Sequence, residues 1–476
     1  MPTIYQTSVE IPSFGGINQS TDGYNMSMRY ATTAYNADVT GGGLAPMMDG
    51  KEIAQSLTEP IGTLARLYRR YSAVEDERSV LVAVSGGRIW TKLLDHDDAW
   101  VARHGGLKCD KCDFVTYEVN RHESPAPVDV LLLTNAEDGM LCLYGDDLHV
   151  EPVNTPYKFG VLARHNERIW GTGIVNDPDK LVYSAAFDPF DWKPNAEIPE
   201  DGSGEIMQPS WDGDSFLALR PFGSQLLAIK KNAIWRILGT NPGEFIMKEQ
   251  YGGGALEENT VVVSGADAYM LGYGGIMRYD GADASPFQQE AVREIMAQVN
   301  PAARSEACAT MDGKTYLLAL PMGASETNNT ILMYNITQQA FSLMRGVGVK
   351  AFLAFEDRVF YTSAQAPGRV FELGAGKQAL PLTWQSGYQD LGAKSSVKSN
   401  FGVYLMLDGE TMTPVTLRIR TEKKAKEKMV LLTPGKPKRV NLNASGRYFR
   451  LEIQSKATKP WRICGGVQID CELDPD

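Results

Sequence analysis

Two cysteines at i and i+3, Cys109-Asp-Lys-Cys112, are the residues of this chain best spaced to do chemistry. A thiolate pair at that spacing can hold zinc or exchange a disulfide. His96, His104 and His122 fall in the same window, three of the five histidines in the sequence. A zinc ribbon needs a second ligand pair at matching spacing, and none follows. The segment therefore reads as two loop thiols among polar histidines, and no metal ligand is assigned. Carboxylates cluster at Asp95-His-Asp97-Asp98, Asp146-Asp147, Asp177-Pro-Asp179, Asp188-Pro-Phe-Asp191 and Asp212-Gly-Asp214. None follows the calcium-loop register D-x-[DN]-x-[DN]-G. A pair fit for glycoside hydrolysis is defined by separation in space, which spacing along the chain does not give. Ser210–Asp214 (SWDGD) shares the first positions of the Asp-box turn of sialidase propellers and lacks the later ones. In an acidic chain these carboxylates read as solvated turn residues. There is no G-x-x-x-x-G-K-[ST], no G-x-G-x-x-G before a helix and no G-x-S-x-G. Gly252-Gly253-Gly254 reads as a turn. The sequence presents no catalytic residue and no cofactor site, and the expectation is a protein that is not an enzyme.

The elements that carry these residues repeat. An apolar β-branched strand, a tight Gly/Asn-rich loop and a second strand that usually bears an aromatic recur from Val80, Val130, Arg168, Leu226, Ala268, Lys314 and Arg358. The starts are 50, 38, 58, 42, 46 and 44 residues apart. Each copy shows period-2 alternation with turn residues where a hairpin needs them. Units at this spacing predict an all-β fold: a β-propeller of seven or a similar number of blades. Coincidental hairpin similarity within a large β-sandwich is the competing reading. Propeller closure leaves only short, protected strand edges, which suits a chain so rich in hairpins. One helix is expected from Ser285 to Asn300. Ser285 would be its N-cap, Pro286 its first residue and Gln288 its capping partner, with Val292, Ile295, Met296 and Val299 forming one apolar stripe.

Three regions follow: an extended N-terminal arm over 1–55, the propeller over 56–376, and a compact C-terminal β-sandwich over 377–476. The arm is expected to wrap the body or a neighbouring subunit. Charge divides along the same line. Residues 377–476 hold 17 Lys+Arg against 10 Asp+Glu, a net of +7. The rest of the chain carries −18, for a total of −11 over 476 residues. Such a balance disfavours a free-standing nucleic-acid binder and makes the two parts electrostatically complementary. The run Lys423, Lys424, Lys426 and Lys428 is the candidate interaction site and is expected to form a long hairpin tip. Six cysteines form no disulfide framework, no secretory signal is readable at the start, and no apolar run approaches the ~18 residues of a membrane helix. A protein made in the cytoplasm and remaining soluble, with no membrane span, is expected.

Several stretches resemble the tail hub or nozzle proteins of short-tailed bacteriophages, also called packaged-DNA stabilisation proteins. Ser13–Ser20 (SFGGINQS) and Ala34–Gly50 (AYNADVTGGGLAPMMDG) resemble the family opening, a Gly-Gly-x-Asn turn before N-x-D…G-x-L…G. Leu162–Trp192 resembles a blade that runs into a Pro-Trp corner, and 291–344 resembles the blade after the family's inter-blade helix. The Cys109/Cys112 pair is not a feature of the group. The resemblance implies a structural virion protein: a ring of copies, six in number, below the portal and its adaptor. That ring would contact other tail proteins, retain packaged DNA and conduct the duplex without binding it specifically. It implies a place in the virion tail, no cofactor and no catalytic residue. An acidic wall that repels phosphates fits a passage of low friction. The alternative reading is a carbohydrate-binding or glycan-cleaving propeller in receptor recognition, for which Trp90, Trp170 and Trp235 could supply aromatics. A peptide-binding scaffold propeller is a second alternative.

Overall fold

The computed structural model describes residues 5–24, 26–121, 126–210, 213–250 and 252–474. The repeat found in the sequence is the middle hairpin of a four-stranded antiparallel sheet, and among the described residues there are seven such sheets. Their first strands are Ile61–Tyr68, Asp113–Val119, Val161–His165, Ala218–Phe222, Val262–Ser264, Cys308–Asp312 and Val349–Phe355. Each first strand neighbours the next, and Val349–Phe355 lies against Ile61–Tyr68, so the sheets close into a ring as blades 1 to 7. Seven apolar clusters hold it, one between each pair of neighbouring blades. Blades 3 and 4, for example, enclose Trp170, Tyr183, Phe216, Leu226 and Ile237. These strands are apolar on both faces because both faces are covered by a neighbouring blade.

The ring is locked by the N-terminal segment. Blade 7 supplies three strands of its own, and its fourth is Lys51–Glu52, paired to Val370–Glu372 with Phe371 opposite Glu52. Alternation of strand direction gives the ring two distinct ends. Loops joining first to second and third to fourth strands share the hairpin end; loops joining second to third strands and the inter-blade connections share the other.

The C-terminal strands form two sheets that pack face to face. One has the order Tyr5–Ile11, Trp461–Asp474, Val397–Gly409, Lys438–Gly446. The other has Ala31–Tyr35, Leu382–Ser386, Phe449–Ser455, Thr413–Thr421, Ala425–Leu432. Between them lie Phe401, Val403, Leu417, Ile419, Leu451, Ile453, Ile463 and Ile469, all buried. The second sheet does not stop at the sandwich. Ala31–Tyr35 also pairs, in parallel, with Ala340–Arg345 of blade 6, making one nine-stranded sheet that runs from the axis to Ala425–Leu432. At ~4.8 Å between strands, its two ends are ~38 Å apart.

The N-terminal arm is thus a structural seam rather than a free extension. It contributes one strand to each sandwich sheet and one to blade 7. Between its strands, Phe14 meets Trp384 edge-on at 4.9 Å, and the Trp384 indole N–H donates to Gly15 O. The Ile17 N–H donates to Phe341 O on blade 6. Gly16 passes so close that a Cβ would lie 2.4 Å from Phe341 O. Asn36, buried and in the left-handed region at φ 52, spans the joint: its amide donates to Pro381 O and its carbonyl accepts from Arg345 N–H.

The helix expected over 285–300 is corrected by the structure. Ser285 and Pro286 belong to the outer strand of blade 5, Ala284–Pro286, with Ser285 opposite Arg278. Gln288 is left-handed at φ 43, and helical turns begin only at Gln289–Val292 and Arg293–Met296. Completing the blade with a fourth strand outweighs the local capping signal. The apolar stripe is placed as expected, with Val292 and Ile295 buried against the joint between blade 5, blade 6 and the sandwich.

Candidate functional site: the axial cavity and the charged surfaces

The segment around Cys109 and Cys112 links blade 1 to blade 2 and is pinned at both ends. Asp110 accepts from Gly86 N–H and Gly87 N–H at 2.8 Å each, and Thr63 Oγ1 donates to Asp110 O at 2.8 Å. Asp138 accepts from Lys108 N–H and from the Asn135 amide. Burial pushes the Cys112 thiol up to about 11, away from thiolate character. His96 sits 4.0 Å from Asp98 at the opposite end of blade 1, His104 lies on the strand Val101–Gly105, and His122 falls outside the described residues. Among the described residues no three His, Cys, Asp or Glu converge on a point where a metal ion could sit. Protein purified without chelator is expected to hold under ~0.2 equivalents of zinc, since a structural site needs four ligands.

Directly below this loop the ring encloses a cavity of about 1070 Å³, lined by the first halves of the inner strands. Its ionisable groups come from several blades. Asp113, the first residue of the inner strand of blade 2, accepts from Leu162 N–H on blade 3 at 2.9 Å and faces Arg220 on blade 4 at 3.9 Å. Arg220 in turn donates to Val261 O, at the start of blade 5. Glu306 and Lys350 pair loosely at 3.7 Å between blades 6 and 7. Burial, then the nearby Asp113 charge, pushes the Glu258 carboxyl up to about 8. Burial also raises Asp113, against the pull of Arg220 and the Leu162 N–H. Lys111, exposed on the pinned loop, opposes the rise at Asp113, Glu258 and Cys308. Cations and carboxylates are mixed here, so the acidic wall expected from the net charge is not a property of this cavity. Its volume is on the scale of a small-molecule pocket. Sequence spacing gave no hint of this cluster, because its members are far apart along the chain and meet only through ring closure.

The acidic clusters take local structural roles. Asp188 and Asp191 accept from Phe190 N–H and Lys193 N–H two residues on, Asp146 and Asp147 both hold Arg121, and Asp214 accepts from Lys231 and Asn232 N–H. Asp179 pairs at 2.6 Å with Lys230, which is 1% exposed and also donates to Ser210 Oγ, Gln208 O and Asp214 O. Trp211 and Asp212 of the SWDGD stretch fall outside the described residues. Three clusters, at Asp95–Asp98, Asp146–Asp147 and Asp188–Asp191, share the hairpin end of the ring. Trp170 is fully buried between blades 3 and 4, Trp235 packs on the same cluster, and Trp90 packs between blades 7 and 1, donating to Ser85 O. None of the three lines the axial cavity.

The lysine run is corrected in part. Lys423 and Lys424 form the turn as expected, whereas Lys426 and Lys428 lie within the strand Ala425–Leu432. They stand opposite Ile419 and Leu417, on the core-facing side, and reach water past the rim of the sandwich. Among the described residues this strand pairs only with Thr413–Thr421, so it is the outer edge of the nine-stranded sheet. Its other face shows Met429, 72% exposed, and Leu431, 52% exposed. Glu427 is held by Arg418, and Glu422 accepts from Arg447 and Tyr448 N–H. Among the described residues, none of the four lysine ammonium groups is in an ion pair.

No family model matches the chain, and no curated protein matches it. Solved structures do. The BBS1N chain crystallised with ARL6DN is 9% identical at a TM-score of 0.41, over 69% of this chain and 97% of that one. The Pan2 WD40 domain of Neurospora crassa is 10% identical at 0.40, over 70% and 99%. BamB from Moraxella catarrhalis is 9% identical at 0.38, over 78% and 99%. Among the described residues no helix is long and apolar enough to cross a membrane.

Proposed function

We propose that this chain is a structural protein of a bacteriophage tail, a hub or nozzle subunit. Copies would form a ring, six in number, below the portal and adaptor, retaining packaged DNA and conducting it on ejection. One observation carries the reading: the residues that resemble the family opening are those that fuse the two domains. Phe14, Gly16 and Ile17 of the SFGGINQS stretch seat the arm on Trp384 and blade 6, and Asn36 of the AYNAD stretch spans the joint. A propeller and sandwich joined by one continuous sheet form a stiff unit, suited to bearing load rather than to opening and closing on a substrate.

The axial cavity is too small for a duplex, so the passage for DNA would be the hole enclosed between copies. The acidic propeller would supply its wall, since like charge avoids the phosphate grip that slows passage. Deleting the gene from the genome that encodes it tests the reading. Particles are expected to package DNA, lose it and be non-infectious, with rescue by the chain supplied in trans. Full-titre particles made without the chain would refute the proposal. Binding of the single chain to a glycan array would favour receptor recognition instead.

A further inference from the structure

We propose that the basic edge strand at the tip of one copy seats on the acidic blade 3 excursion of a second copy. This names the contact within the multi-copy assembly proposed above and rests on that reading.

The receiving surface is the segment between the third and fourth strands of blade 3, residues 184–203, at the hairpin end of the ring. Phe187 stands there 75% exposed, with its backbone in the left-handed region at φ 61. A bulky residue is rarely found in that region, and holding it there costs free energy. The conformation is fixed by the Phe187 N–H donating to Glu167 O, with Ala185 and Ala186 N–H donating to Asp191 O and Asp201 O. The chain thus holds an aromatic in water and gains no packing from it. Ile198, 51% exposed, lies on the same excursion. Asp188, Glu197 and Glu200 lie on the same excursion, and among the described residues none of the three is in an ion pair.

The tip is its complement in both respects. Lys423, Lys424, Lys426 and Lys428 are cations in no ion pair among the described residues, and Met429 and Leu431 are exposed apolar side chains on the other face of the same edge strand. The placement of Lys426 and Lys428 selects the kind of occupant. Lysines on the core-facing side of an edge strand discourage another strand from pairing with it. The partner is therefore a folded, acidic and apolar surface rather than an added strand. Within one copy the tip continues the sheet of blade 6, whereas the excursion belongs to blade 3, three blades away around the ring. A contact between different surfaces of identical chains is head-to-tail, and it propagates into a ring if the rotation closes.

A charge swap read by sedimentation velocity over a salt series tests the contact. Wild type is expected to self-associate at low salt and to weaken as salt rises. The variant K423E/K424E/K426E/K428E and the variant E197K/E200K are each expected to associate at least tenfold more weakly, while an equimolar mixture of the two restores association. F187G is expected to weaken association without lowering the unfolding temperature, which separates loss of the contact from loss of the fold. Wild-type association by both charge variants would overturn the inference, as would a wild-type chain that stays monomeric at low salt and high concentration. Either result leaves the tail reading to the gene deletion.

Discussion

Lys230 shows how this fold handles a buried charge. Its ammonium reaches one carboxylate, one hydroxyl and two carbonyls, leaving no donor unmatched. Breaking such a buried pair strands the partner and typically costs about 3–5 kcal/mol. Lys230→Met is therefore expected to lose about 3 kcal/mol in denaturant unfolding, and Asp179→Asn at least as much, because it leaves the more deeply buried ammonium without its carboxylate. A change under about 1 kcal/mol would mean that water replaces the lysine. Glu258 titrates in the opposite sense from a salt-bridged carboxylate. Its folded pKa lies near 8 and its ordinary value is 4.5, so between those values the folded chain binds the extra proton. Stability from this group is fully present at low pH and is lost as pH rises through that window. Glu258→Gln is expected to flatten the stability–pH curve between about 5 and 8 in thermal melts; an unchanged curve would refute the assignment.

At the scale of elements, the seam made by the N-terminal residues governs. A Cβ at Gly16 would collide with blade 6 backbone rather than with a side chain able to move. Gly16→Ala is expected to destabilise by about 1–3 kcal/mol, the range for overpacking, read in a chemical melt; a loss under about 0.5 kcal/mol would show that the arm can shift. This seam was the least legible part of the sequence. The middle hairpins stood out because both strands are local and apolar, as at Val80–Leu93 and Val130–Tyr144. Strands such as Tyr5–Ile11 and Lys51–Glu52 pair with residues more than 300 positions away, and local pattern carries no trace of such partners. The Ser285-Pro286 capping signal misled for a different reason: the adjacent strand Gly275–Tyr279 claims both residues in a local hairpin, with Arg278 opposite Ser285 and Met277 opposite Pro286. The lysine run was visible as charge, but its place on an edge strand depended on the register with Thr413–Thr421. Phe187 left no signal beyond the turn residues of DPFDW around it.

Taken whole, the molecule is a closed ring carrying a lever, with one sheet running from axis to tip. Cutting the seam should uncouple the two parts. A chain lacking residues 1–50 is expected to lose single-transition unfolding and to show separate melts for propeller and sandwich in calorimetry. A single transition at the wild-type temperature would show that the C-terminal strands alone hold the parts together. The distribution of charge belongs to this scale as well, because the acidic clusters of the hairpin end sit on blades 1 to 3, whereas the basic tip continues the sheet of blade 6.

The pairing of the first residues with the last has a consequence for how the chain is made. Tyr5–Ile11 finds its partner only when Val467–Leu473 has been synthesised, and Lys51–Glu52 waits for Phe371 and Glu372. Until those partners emerge, the strands Tyr5–Ile11 and Lys51–Glu52 trail unpaired, and blade 7 stays open until Phe371 and Glu372 are made. Every nascent or prematurely terminated chain therefore exposes strand edges open to promiscuous pairing. The first sandwich sheet is therefore completed only after Val467–Leu473 emerges, and a chain cut short of those residues leaves Tyr5–Ile11 without its partner.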